Sequence, residues 1–160
     1  MKTTEAVAAT FGMTDEAWKR HANAWSVWSR MAGLAPILAP IFFRETLGWW
    51  ALAIIVPGIA WMWLNPRAFK PVQHPTKWAE KGIYGEKLWS AGKSAALAGH
   101  RTAMRLLIGL AGAGALIMIY GLVFIEAWPA IFGITLVLLS QLWQIDRFVS
   151  IYDESVRGEQ

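Results

Sequence analysis

The chain has no cysteine. That excludes disulfides, thiolate metal sites, iron–sulfur clusters and cysteine nucleophiles. It is also poor in charge: only 16% of its 160 residues are Asp, Glu, Lys or Arg. Soluble domains carry about 25%, so these charges are too few to cover a water-facing surface. Catalytic signatures are missing as well. There is no paired-carboxylate span, no HExxH, no phosphate-cradling glycine loop and no nucleophile–base pairing. No internal repeat and no low-complexity segment is visible.

What is present is apolar. Hydrophobic residues make up 56% of the chain, and 11 residues are Trp. They fall in long blocks, which is the membrane pattern. Hydropathy and breakers predict spans at 26–43, 47–64, 104–125 and 129–149. The expected fold is all-α: a single-domain integral membrane four-helix bundle. An N-terminal interfacial helix precedes it, and a partly helical cytoplasmic loop fills 65–103. No secretory signal is expected, because the first 24 residues lack a long enough apolar core.

Local signals refine this outline. Thr14 followed by Asp15 and Glu16 reads as a helix start, with a short helix running to about Ala22. Phe11, Trp18 and Trp25 would lie near an apolar surface. Pro36 and Pro40 predict a kink in the first span. Arg30, near its inner end, is expected to reach headgroups. Arg44, Glu45 and Thr46 form a tight turn. Trp49 and Trp50 frame one end of the second span, Trp61 and Trp63 the other, as aromatic belts do. Asn65-Pro66 is expected to stop that helix. In the loop, 76–93 gives no clean apolar face, and Gly82 and Gly85 weaken it, so two short interfacial pieces are expected. The third span carries Gly109 and Ala113, or Ala111 and Ala115, at a spacing that permits close helix approach. Trp128 and Pro129 lie in the outer turn before the fourth span.

Charge sets the expected orientation. Of the 15 Lys and Arg residues, only Arg44 falls in an outer turn. The other side holds the termini and the loop, which places both termini in the cytoplasm of a bacterial inner membrane. The net charge of +4 is therefore assigned to anionic lipid headgroups and not to nucleic acid.

The densest pattern is the stretch 21–30, His-Ala-Asn-Ala-Trp-Ser-Val-Trp-Ser-Arg. With Trp63-Leu64-Asn65-Pro66-Arg67, Gly85-Glu86-Lys87-Leu88-Trp89, and Leu142-Trp143 through Asp146-Arg147, it resembles an uncharacterised family of small four-helix prokaryotic membrane proteins. Members carry a His-Ala-Asn-Pro-Trp-Ser-type stretch before the first span. Ala24 stands here where that signature has proline, so entry into the span should be less sharply bent. The resemblance implies the fold and no biochemistry.

From the residues themselves, Trp25 and Trp28 read as an anchor at headgroup level, with His21 and Asn23 bonding loop carbonyls or capping a helix. None of His21, His74 and His100 lies inside a span, so no metal or tetrapyrrole site is expected. Gln141, Gln144, Asp146 and Arg147 make the inner half of the fourth span polar. A salt bridge to the loop or helix-end bonding is the expected role, with a quinone headgroup or partner contact as the functional alternative.

The expected function is a non-enzymatic accessory subunit of a larger inner-membrane complex, photosynthetic or respiratory and quinone-linked. No intrinsic cofactor is expected, though a lipid, quinone or pigment could sit at a subunit interface. The candidate partner and lipid contacts are Trp25, Trp28, Arg30, Trp49, Trp50, Trp61, Trp63, Gly109, Ala113, Trp128, Gln141, Trp143 and Gln144. The alternatives are a homo-oligomeric channel or small transporter lined by Gln141 and Gln144, and a lipid-modifying enzyme using His21 and His100.

Overall fold

A computed structural model describes residues 14–92 and 97–158. The N-terminal tail with Phe11 lies outside them. Among the described residues every regular element is helical: α1 (Asp15–His21), α2 (Ala24–Ala32), α3 (Ala35–Phe42), α4 (Arg44–Leu47), α5 (Trp50–Ala68), α6 (Trp78–Ala91), α7 (Leu97–Phe124) and α8 (Ala127–Gly158).

Capping chemistry builds the first two helices as the sequence dictates. The Thr14 hydroxyl accepts from Ala17 N at 3.2 Å, and the Asn23 carboxamide oxygen accepts from Trp25 N at 3.0 Å. Ala24 takes the first position of α2, a place proline would also fit.

The first expected span is corrected. Residues 26–43 are not one kinked helix but two short ones, broken at Gly33 and Leu34. Proline needs an extended or turn-like predecessor more readily than a helical one, and Pro36 sits at the start of the second piece. The expected tight turn at Arg44 is a one-turn helix, closed by Gly48 at φ +54°. There the left-handed backbone suits glycine.

The segment expected as the second span forms a helix with other bounds. Instead of stopping at Asn65-Pro66, α5 runs on to Ala68. Its 19 residues extend about 28 Å.

Two helices are long and apolar enough to cross a membrane: Ala98–Phe124 within α7, and α8. At 28 and 32 residues they extend about 42 and 48 Å. They outrun the expected spans 104–125 and 129–149. The turn between them places Ile125 at φ +58°, where Glu126 N donates to Gly121 O at 2.8 Å. The two helices lie closely against each other through Gly114, Gly121 and Gly133. A Cβ on Gly121 would stand 2.2 Å from Ala130 N, and one on Gly133 2.3 Å from Met118 N. Gly109 and Ala113 take no part in this packing: both are exposed, and a Cβ on Gly109 meets nothing within 4 Å.

The loop is corrected too. Residues 78–91 form one continuous helix, α6, and its two glycines are contact points, not breaks. A Cβ on Gly82 would lie 2.5 Å from Ile145 Cγ2, and one on Gly85 1.9 Å from Phe148 O. Glycine is required wherever two backbones approach this closely. α6 therefore lies directly on the C-terminal half of α8.

The densest core sits at this end of the molecule. Ala22, Val27, Ala79, Ile83 and Ile145 are buried together, with Trp18, Met31 and Tyr84 against them. Met104, Phe148 and Ile151 continue it beside Leu88 and Trp89. The segment after α5 is laced into the same end. Val72 N donates to Lys19 O at 2.9 Å, and the Tyr84 hydroxyl donates to Val72 O at 2.7 Å. The α6–α8 seam adds Lys81 to Asp153 at 2.9 Å. Being about one-third exposed, that ion pair contributes under about 1 kcal/mol; apolar burial does most of the holding.

The opposite end is closed by Arg44. Its guanidinium donates to Ile41 O at 3.0 Å, Leu122 O at 2.5 Å and Val123 O at 2.7 Å. A cation suits the C-terminal carbonyls of a helix. The α2–α5 hairpin is thus fastened to the α7–α8 hairpin at both ends.

Candidate functional site

Between those fastenings the two hairpins leave space. A cavity of about 370 Å³ opens where α2, α5, α6 and α8 meet. Val27, Arg30, Met31 and Leu34 form one wall, and Met62 enters from α5. Ile83 and Glu86 come from α6, and Val137, Leu138, Gln141, Gln144, Ile145 and Phe148 from α8. The polar groups gather at the end where α6 lies. Past Leu34 and Leu138 the walls are apolar.

Arg30 is the cation of this site. Its Nη1 lies 2.9 Å from His21 Nε2. Guanidinium can only donate, so Nε2 accepts and the imidazole proton rests on Nδ1. That Nδ1 is buried with no hydrogen-bond partner among the described residues. Burial, reinforced by the adjacent Arg30 charge, lowers the His21 pKa to about 3. His21 is accordingly a neutral acceptor that orients Arg30. The expected reach of Arg30 to headgroups is corrected: it turns inward and lines the cavity. The expected bond of His21 to loop carbonyls is also corrected.

Glu86 faces the same space. Burial pushes its carboxyl pKa up, and the Arg30 charge opposes that shift only in part. It forms no ion pair within 4.0 Å among the described residues, and neither does Arg30.

A second network braces the wall behind Arg30. The Ser26 hydroxyl donates to Asn65 Oδ1 at 2.7 Å, and Asn65 Nδ2 donates to the Ser29 hydroxyl at 2.8 Å. Asn65 and Ser26 are fully buried. These bonds tie α2 to the end of α5 and fix the helix that carries Arg30. Asn65→Leu, which keeps the volume and removes both bonds, is expected to cost about 2 kcal/mol, chiefly by stranding the buried Ser26 hydroxyl, since the Ser29 hydroxyl still donates to Trp25 O. A thermal melt in detergent reads this; an unchanged midpoint would mean the network contributes nothing.

The structure separates the sequence candidates. Arg30, Gln141 and Gln144 converge on the cavity. Trp25, Trp49, Trp50, Trp63, Trp128 and Trp143 are exposed on the outside of the molecule. Trp28 stacks on Trp78 with centroids 6.2 Å apart, and Trp61 Nε1 donates to Ser29 O at 3.4 Å. Asp146 accepts from Trp78 Nε1 at 3.3 Å and pairs with neighbouring Arg147 at 3.2 Å. His100 engages Glu154 at 3.2 Å, whereas His21 engages Arg30.

Sequence reasoning missed Glu86, Asn65, Ser26 and Ser29 as members of one site. The only signal was that three motif stretches, 21–30, 63–67 and 85–89, stood out from the rest. In the structure all three meet here.

A family model described as a family of unknown function (DUF6653) matches residues 3–160. No curated protein and no solved structure matches the chain.

Proposed function

The chain belongs to that family of unknown function, and from this premise we propose that it is a non-enzymatic accessory subunit of a larger membrane complex. One observation carries the reading. Only 17% of the apolar window of α7 and 22% of that of α8 are buried inside the molecule. Core helices of soluble proteins are mostly covered, whereas these present long apolar faces that need lipid or a partner.

In this reading the broken α2–α3 and α5 form one transmembrane hairpin, and α7 and α8 the other. Arg44 beside Leu122 and Val123 puts both outer turns at one end. The remaining basic residues among those described collect at the other, which favours a cytoplasmic location for both termini. The exposed Trp residues sit where lipid headgroups and a neighbouring subunit would meet them. The open face around Gly109 and Ala113 is the place where a partner helix could approach closely. Gln141 and Gln144 line a cavity within one chain, which weighs against their lining a path shared between copies.

The test is purification of the tagged native protein in mild detergent, followed by mass spectrometry and an absorption spectrum. Stoichiometric recovery of larger membrane subunits is the expected result. Gly109→Leu should lower that recovery several-fold while leaving the melt of the isolated chain unchanged. A homogeneous particle of this chain alone would overturn the accessory-subunit reading and put a homo-oligomeric channel in its place.

A further inference from the structure

A second, wholly apolar space of about 410 Å³ lies between α3 and the N-terminal half of α8, lined by residues such as Leu38, Phe42, Met118 and Ile134. On α8 the two linings form a single stripe: Ala127, Ala130 and Ile131, then Ile134, then Val137 and Leu138, then Gln141, Gln144 and Phe148. These steps of three and four follow one face of a helix. On the facing side the linings succeed one another from Val27 in α2, across the break at Gly33 and Leu34, to Phe43 past the end of α3. The two spaces share no lining residue but succeed one another along α8, so that together they make a crevice between the hairpins, polar at the α6 end and apolar over the rest.

We propose that this crevice binds a single-chain amphiphile with an anionic carboxylate head, its head at Arg30 and its chain along α8. Three observations select this class. Arg30 lines the polar end with no carboxylate within ion-pair distance among the described residues, so a ligand anion would supply the missing counter-charge. Gln141 and Gln144 stand beside it as further donors, and a carboxylate accepts from several donors at once. The polar compartment holds about a dozen water-sized volumes at roughly 30 Å³ each; that admits one head and the start of one chain, not two chains side by side. Glu86 lines the same compartment, where burial raises its carboxyl pKa against the opposing Arg30 charge.

This inference rests on the membrane reading but not on the presence of a host complex, because binding is measured on the isolated full-length chain. The probe is radiolabelled palmitate, added to the protein in phosphatidylcholine nanodiscs. Saturable binding at one palmitate per chain is expected. Arg30→Gln should weaken it at least tenfold, and methyl palmitate, which lacks the charge, should fail to compete. Ile134→Trp, placed in the lining of the apolar space, should also block binding by filling the crevice. Circular dichroism confirms that each variant retains its helices. Absence of saturable palmitate binding in the folded wild type would overturn the proposal. So would equal competition by methyl palmitate, or by a short-chain quinone, since either would show that the site does not read a carboxylate.

Discussion

Gly85→Ala is expected to detach α6 from α8 and lower the melting temperature of the protein by many degrees. The new methyl would stand 1.9 Å from the Phe148 carbonyl oxygen and 2.5 Å from its carbon. Both are backbone atoms in the middle of a helix, so neither can swing aside as a side chain would. Overpacking typically costs 1–3 kcal/mol, and an immovable target places this case at about 3 kcal/mol or above. The loss would include the Trp89–Phe148 ring contact and the wall that brings Glu86 to the cavity. Gly112→Ala is the control: a Cβ there meets nothing within 4 Å, and alanine favours a helix interior by about 1 kcal/mol. Intrinsic Trp fluorescence during thermal unfolding in detergent compares the two. If Gly85→Ala melts with the wild type, α6 does not lie on α8 at this distance.

The second large effect is acid sensitivity centred on His21. Its pKa is depressed to about 3 in the folded chain, against about 6.5 when unfolded. A base with a depressed pKa contributes stability above its unfolded value and loses it as pH falls towards the folded one. The loss therefore begins near pH 6.5, reaches about 2 kcal/mol at pH 5, and is complete near pH 3 at about 5 kcal/mol. The main cause is burial of the imidazole, and a protonated His21 would in addition place a second cation 2.9 Å from the Arg30 guanidinium.

Glu86 works in the opposite direction. Its carboxyl is raised, so its contribution is fully present below the unfolded value and disappears as pH rises through the folded one. The two are separated by substitution. Melts between pH 7.5 and pH 5 should show a wild-type decline that His21→Asn flattens, because asparagine can accept from Arg30 but cannot be protonated. Glu86→Gln should leave the His21 decline in place and raise stability at the alkaline end. A Glu86→Gln profile that stays flat from pH 7.5 to pH 5, with the opposing carboxyl removed, would refute the His21 assignment.

How far the sequence foretold this arrangement depends on what each feature required. The long helices α7 and α8 were legible because hydropathy is a local sum over neighbouring residues. The α1 start was legible because Thr14, Asp15 and Glu16 act on the turn they belong to. By contrast, α6 was misread because a helical wheel scores glycine as a weakness. Gly82 and Gly85 have meaning only beside Ile145 and Phe148, about sixty residues away. Small residues are abundant in α7, and spacing alone selected Gly109 and Ala113. The partner surface on α8 instead selects Gly114 and Gly121.

The site was hidden for the same reason. Arg30 and Glu86 belong to segments that read separately as a span end and a loop. Asn65 looked like a stop signal because its next neighbour is proline, yet its carboxamide is a bridge between helices. The polar character of Gln141 and Gln144 was visible; the crevice they face exists only once two hairpins stand side by side.

Arg44 is the exception to the charge pattern, and its three acceptors explain why it is tolerated. A lysine there would keep the charge but present a single nitrogen, while the planar guanidinium divides its donors between Ile41 and Leu122 on one nitrogen and Val123 on the other. The residue that looks in sequence like a stray orientation signal is therefore a rivet between the hairpins. It fixes how far one slides along the other, and with that the length of the crevice they enclose.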